Sequence, residues 1–161
     1  MTTNSRKFLA VSDDTEECLT AMTFAAMRAR AVGAGLALLR CARTPGPAGW
    51  IGLDRAMTQD AVDSARIKLN QHAQEIEART GVSAELIVSP EEPLDAIRQL
   101  VEGDAAIKTL VLAAGASRWG PGPLVSRLAR GRALADRPLA VTVIPGRLSD
   151  AQLAEMGGLP G

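Results

Sequence analysis

Residues 109–126 read TLVLAAGASRWGPGPLVS, and this stretch decides the fold. Thr109 to Ala114 is a continuous apolar run of strand length, the pattern of a strand buried on both faces. It ends at Gly115, and a loop rich in Gly and Pro carries the chain to Gly122. Gly122 suits a helix N-cap and Pro123 the first helical position, so the spacing predicts a helix over 124–135. Pro138 then leads into Leu139 to Ile144, a second apolar run closed by Pro145 and Gly146. A strand, a helix and a strand in this order make a right-handed crossover between parallel neighbours.

The same alternation fills the rest of the chain. Phe8 to Val11 reads as a strand that stops at Ser12-Asp13-Asp14-Thr15, a turn cluster with Asp14 or Thr15 as helix cap. Cys18, Met22, Ala25, Ala26 and Ala29 recur at helical spacing up to Val32, and Gly33 or Gly35 ends that helix. Leu36 to Cys41 is a second strand. Residues 42–53 hold two Pro and three Gly and read as a loop, with Trp50 covering the core edge, a ligand or a second subunit. Asp54 to Thr80 is the longest helical stretch, with Val62, Ala65, Leu69 and Ile76 on one stripe. Ala84 to Val88 is a third strand, and Leu94 to Val101 a short amphipathic helix. Ser149 to Met156 is a terminal helical turn on an otherwise loose tail. The order is five strands separated by single helices: an α/β, three-layer, doubly wound parallel sheet. Residues 1–147 form one domain and 148–161 a short C-terminal tail.

Composition narrows the function. The chain has 161 residues, enough to bury a core, yet aromatics are only 2%, so that core is built from Ala, Val, Leu, Ile and Met. Lys plus Arg and Asp plus Glu both number 18, so no net field draws nucleic acid or anionic lipid. Two cysteines, Cys18 and Cys41, and one histidine, His72, cannot build a zinc site of the usual Cys and His ligands. No leader or membrane span is visible, and the cytoplasm is the expected compartment. His72 lies beside the apolar stripe of its helix with no evident Asp or Ser partner, and reads as a boundary residue. Cys41 as a nucleophile lacks a base. The chain offers no triad, paired carboxylates or metal ligands, so no catalytic residue and no metal are expected.

Ligands of doubly wound sheets sit beyond the carboxyl ends of the strands, where strand order reverses. That rule selects Ser12 and Asp13, Cys41, and the loop from Gly115. Two readings of the loop stand. Its glycines let amides approach a phosphate at a helix start, with Arg118, Arg127 and Arg130 adding positive charge. Alternatively it is a rigid turn. Gly115-x4-Gly120 has P-loop spacing, but Pro121-Gly122 replaces Lys-Ser/Thr, and prolines donate no hydrogen bond. Asp13 likewise either receives a ribose or base amino group or caps the following helix.

Across essentially its whole length the sequence resembles the universal stress protein family. Phe8 to Glu17 looks like that family's first strand, aspartate and turn. Leu110 to Gly115, Pro123 to Ser126 and Arg137 to Ile144 look like its fourth strand, ligand loop and last strand. The GPGPLVS stretch, Gly120 to Ser126, and the Trp50-Ile-Gly sequence are similar to a bacterial subgroup. The resemblance implies a flavodoxin-like (adenine nucleotide alpha hydrolase-like) sheet of order 3-2-1-4-5. It also implies a homodimer through the last strand, here Leu139, Val141, Val143 and Ile144. Many members bind ATP through Gly-x2-Gly-x9-Gly-Ser/Thr after the fourth strand; others do not retain it. Here Gly115 matches the first glycine and Ser126 the closing Ser/Thr, while Arg118 and Val125 replace the other two glycines. The implied nucleotide site comprises Ser12, Asp13, Cys41, Gly115, Ala116, Arg118, Gly120, Gly122, Val125 and Ser126. The implied role is a stress-response accessory protein, not an enzyme beyond slow ATP hydrolysis, that senses ATP or another adenine nucleotide. The alternative is a protein-interaction module of the same fold that binds no nucleotide and works through an unidentified protein partner.

Overall fold

The computed structural model describes residues 6–42, 54–115, 122–129 and 134–157. Five strands form one parallel sheet: β1 (Lys7–Ser12), β2 (Gly35–Cys41), β3 (Glu85–Ser89), β4 (Ile107–Ala114) and β5 (Ala140–Pro145). Their order is β3-β2-β1-β4-β5, as the resemblance implies. The helices are α1 (Glu17–Val32), α2 (Asp54–Thr80), α3 (Pro93–Gly103), α4 (Pro123–Ala129) and α5 (Asp150–Gly157).

The period-2 alternation of the strands builds two cores. Ala10, Leu38, Val111 and Ile144 face α1, with Leu69 and Ile76 of α2 and Leu153 of α5 behind them. Leu9, Val11, Ala37, Leu39, Leu110 and Leu112 face the opposite layer, against Ala96, Ile97 and Val101 of α3 and the partly buried Leu124 and Leu128 of α4. Alanines at 21, 25, 26 and 29 let α1 lie close between the sheet, α2 and α5. Full burial of one such Leu side chain is worth about 2 kcal/mol.

The ends of the helices depart from the expected chemistry. Glu16 is the N-cap of α1 and makes no side-chain cap bond. Neither Asp14 nor Thr15 caps the helix, because Asp14 is drawn into ion pairs and Thr15 closes a tight turn on Asp13. At the other end Gly33 adopts φ 67°, the left-handed conformation that glycine takes without strain. The helix expected to reach Ala135 does not extend there: Leu134 to Arg137 are bends. Leu134 is buried in the α3–α4 core, and Arg137 donates to the carbonyls of Val101 (2.6 and 2.8 Å) and Asp104 (2.8 Å), closing off the end of α3. Those anchors set the approach to β5.

The segment after β5 is held against α1. Leu153 is buried, Arg28 donates to the Gly157 carbonyl (3.4 Å), and a Cβ on Gly157 would stand 2.9 Å from that of Met27. Among the described residues no helix is long and apolar enough to cross a membrane, and no cluster of His, Cys, Asp and Glu could hold a metal.

Candidate functional site

Strand order reverses at β1, which pairs with β2 on one side and β4 on the other, so the turn after β1 stands at the switch point. Asp13 Oδ1 accepts from the Thr15 amide (2.8 Å) and hydroxyl (2.5 Å), which folds residues 13–15 into a compact Asx turn. This turn divides two cavities. The larger, about 450 Å³, opens between β1, β2 and α2, with Ser12, Asp14, Arg40, Cys41 and Lys68 on its polar side. The smaller, about 120 Å³, lies toward β4 and α4, with Glu17, Cys18, Gly115, Gly122 and Val125 around it. Val11, Asp13, Thr15 and Leu124 belong to both.

The larger cavity has a charged floor. Arg40 sits in the otherwise apolar β2, and only 5% of it is exposed. A guanidinium taken this far out of water needs a full set of partners. It has them: Nη1 donates to Ser12 Oγ (3.0 Å) and to the Asp13 carbonyl (3.1 Å), and Nη2 donates to Asp14 Oδ1. Lys68 of α2 reaches the same Asp14 oxygen at 3.2 Å. Hydrogen bonds from Arg40 and Lys68 hold the Asp14 carboxyl below the usual carboxylate range. Ser12 Oγ also lies 2.7 Å from His72 Nδ1. Burial, with Arg40 nearby, lowers the pKa of His72 and favours the neutral ring. Because Arg40 donates to Ser12, the serine proton is free to point at Nδ1, and the ring N–H then sits on Nε2.

The thiols are inert by comparison. Burial pushes Cys18 up to about 12 and Cys41 up to about 11, so both stay protonated at neutral pH. Cys18 uses its thiol as a donor to the Asp13 carbonyl at 3.4 Å.

On the smaller side the loop's far end is explicit. The Gly122 carbonyl accepts from the Ser126 amide (3.0 Å), which makes it the N-cap of α4, and its φ of 99° is a conformation glycine tolerates. Gly146, just past β5, is wedged against the Ala114 carbonyl and the Glu17 side chain.

Of the residues singled out in the sequence, Ser12, Asp13 and Cys41 line the larger cavity, and Asp13, Gly115, Gly122 and Val125 the smaller. Ser126 lines neither. Ala116, Arg118 and Gly120 lie outside the described residues, as does Trp50. In β5, Val141 and Val143 are 38% and 45% exposed, and Leu139, just before the strand, is half-buried. Ile144 is 2% exposed, its side chain packed into the α1 core, so what it offers at the edge of the sheet is its backbone. His72 is a correction, since it has a serine partner. Sequence reasoning missed Arg40 altogether, although one charged residue inside an apolar strand was the signal that could have found it.

Comparison with known proteins agrees with this fold. No curated protein matches the chain. Among solved structures, the universal stress protein UspA from Lactobacillus plantarum is similar at a TM-score of 0.66 and 18% identity, over 86% of this chain and 97% of that one. A universal stress protein in complex with cAMP matches at 0.53 and 17%, over 89% and 98%. One from Archaeoglobus fulgidus in complex with dAMP matches at 0.54 and 18%, over 85% and 96%. At such identities these likenesses speak for the fold alone. The model of the universal stress protein family, however, matches residues 4–126, from before β1 into α4. The chain therefore belongs to the universal stress protein family.

Proposed function

We infer that the chain is a cytoplasmic stress-response module that binds an adenine nucleotide at the Asp13 turn and acts as a homodimer. The observation that carries this reading is the position of Asp13: half-buried, at the switch point, and common to a larger and a smaller cavity. Oδ1 is engaged by Thr15, and Oδ2 is the oxygen that would receive a base amino group or a ribose hydroxyl. Val11, Cys41 and Leu124 supply apolar surface for a base. Amides at Gly115, Gly120 and Gly122, with Ser126 and Arg118, are assigned to phosphates on the family pattern. Two similar proteins, in complex with cAMP and with dAMP, support the choice of an adenine ligand. Hydrolysis of a bound nucleotide would be slow, since neither thiol is ionised and His72 is occupied by Ser12.

β5 supports the dimer. It is an edge strand whose outer N–H and C=O groups have no ladder partner among the described residues, and Val141 and Val143 add exposed apolar surface beside them. The same observation favours the second reading, an interaction module that binds no nucleotide and works through that edge.

Native mass spectrometry followed by calorimetric titration with ATP, AMP and cAMP tests both. One nucleotide per subunit, lost in Asp13→Ala, is the expected result. A dimer that stays empty at millimolar nucleotide would overturn the ligand assignment and leave the interaction module.

A further inference from the structure

Ser12, Arg40 and His72 form a relay that reaches the ligand-facing turn from behind. The Nη1 group that donates to Ser12 Oγ also donates to the Asp13 carbonyl. The Ser12 hydroxyl therefore shares with Asp14, bonded to Nη2, the task of fixing Arg40 on the backbone of Asp13. Ser12 is 1% exposed, so water does not stand in for a lost partner. With His72 neutral the order of donors is complete: Arg40 to Ser12, Ser12 to Nδ1. With His72 protonated, Nδ1 becomes a donor as well. Two cationic donors then point at one serine oxygen, and the serine's own proton has no acceptor.

We propose that His72 is a positioning residue for the Asp13–Thr15 turn, holding Arg40 on the Asp13 carbonyl through Ser12, and that protonation of His72 releases that hold. The charged groups facing His72 are Arg40 from β2, Asp13 and Asp14 from the turn after β1, and Glu75 one helical turn along α2. Lys68, on the same helix, bonds to Asp14. Arg40 opposes the imidazolium, while the three carboxylates favour it. Arg40 shares Ser12 with the ring directly, and burial acts in the same sense, so the neutral form prevails at neutral pH.

His72 is the only histidine in the chain, which makes the test direct. In ligand-free wild-type protein, nitrogen and proton NMR are recorded from about pH 8 to pH 5. The neutral ring is expected as the Nε2–H tautomer, titrating below the ordinary histidine value, with the amides of Asp13, Asp14 and Thr15 moving at the same midpoint. An Nδ1–H tautomer, or turn amides that ignore the titration, would overturn the proposal. A second arm rests on the nucleotide reading. cAMP is titrated calorimetrically over the same range, since its phosphodiester does not change charge there. Wild type is expected to weaken toward acid with a slope approaching about tenfold per pH unit, the limit for one proton, and His72→Gln to stay flat. Binding of cAMP by wild type with no such slope would sink the positioning role. Failure of cAMP to bind at any pH would remove the nucleotide reading and leave the NMR arm to decide on His72.

Discussion

The two sides of the Asp13–Thr15 turn are built from different materials. Toward β2 the polar groups are side chains, and each is committed to another: Arg40 to Ser12, Asp13 and Asp14, Lys68 to Asp14, Ser12 to His72. Toward β4 the surroundings are mostly apolar side chains, Val111, Leu112, Leu124 and Val125, beside Gly115 and Gly122, and just past β5 Gly146 has no room for a Cβ against the Ala114 carbonyl and the Glu17 side chain. The first side holds its shape by hydrogen bonds that must all be made together; the second holds it by apolar packing and by the missing Cβ of Gly146. A substitution on the first side should therefore act by orphaning partners, and one on the second by forcing in bulk.

The largest expected effect is on the charged side. Arg40→Ala removes a buried stem and leaves Ser12 short of a donor, and should cost about 3 kcal/mol in urea unfolding. Arg40→Met, which keeps the stem and removes the charge, should cost less than half as much, because desolvating a guanidinium offsets much of what its bonds contribute. Equal losses for the two variants would show that packing, not the network, carries the side. Gly146→Ala comes next. Its methyl meets the Ala114 carbonyl and the Glu17 side chain, and the overpacking should cost about 2 kcal/mol while leaving the Arg40 network intact. An unchanged unfolding midpoint would mean that the β4 side yields easily. Asp13→Ala, at the partition itself, should cost only about 1 kcal/mol for the lost turn bonds yet abolish nucleotide uptake by calorimetry.

This contrast also separates what could be read from the sequence. Apolar runs such as Leu110-Val-Leu and Leu36-Ala-Leu-Leu are buried on both faces, so they announce strands whatever surrounds them. Gly122-Pro123 announced a helix start because both residues act on the local backbone. On the β4 side this made the start of α4 legible, while residues 116–121 of the loop lie outside the described residues. The β2 side was not legible. His72 gains its serine from a residue 60 positions away, and Arg40 its partners from 26 to 28 positions away. No local pattern encodes such pairs; parallel pairing of β1 and β2, with α2 laid across their ends, creates them. The inward side chain of Ile144 was illegible for a related reason. A strand implied to carry a dimer still turns alternate residues inward, and Ile144 falls on the inward phase with Val111.

The smallest effects should come from the rim of the charged side, where Asp14 and Lys68 are 69% and 50% exposed. The folded-state pKa of Asp14 is depressed, so its contribution to stability is present above the ordinary carboxylate value and is lost as pH falls through the lowered one. His72 is depressed too, and for a histidine this means that the neutral ring stabilises the fold. That contribution is present above about pH 6.5 and is lost as pH falls through the folded value. Acid unfolding should therefore show two losses, one below neutrality that vanishes in His72→Gln and one in the carboxylate range that shrinks in Asp14→Asn. Lys68→Ala should change stability at neutral pH by no more than about 0.5 kcal/mol, and less in high salt, as for other exposed pairs. If Lys68→Ala instead costs as much as Arg40→Met, then Asp14 is held from the α2 side, and the turn is braced from two directions rather than from β2 alone.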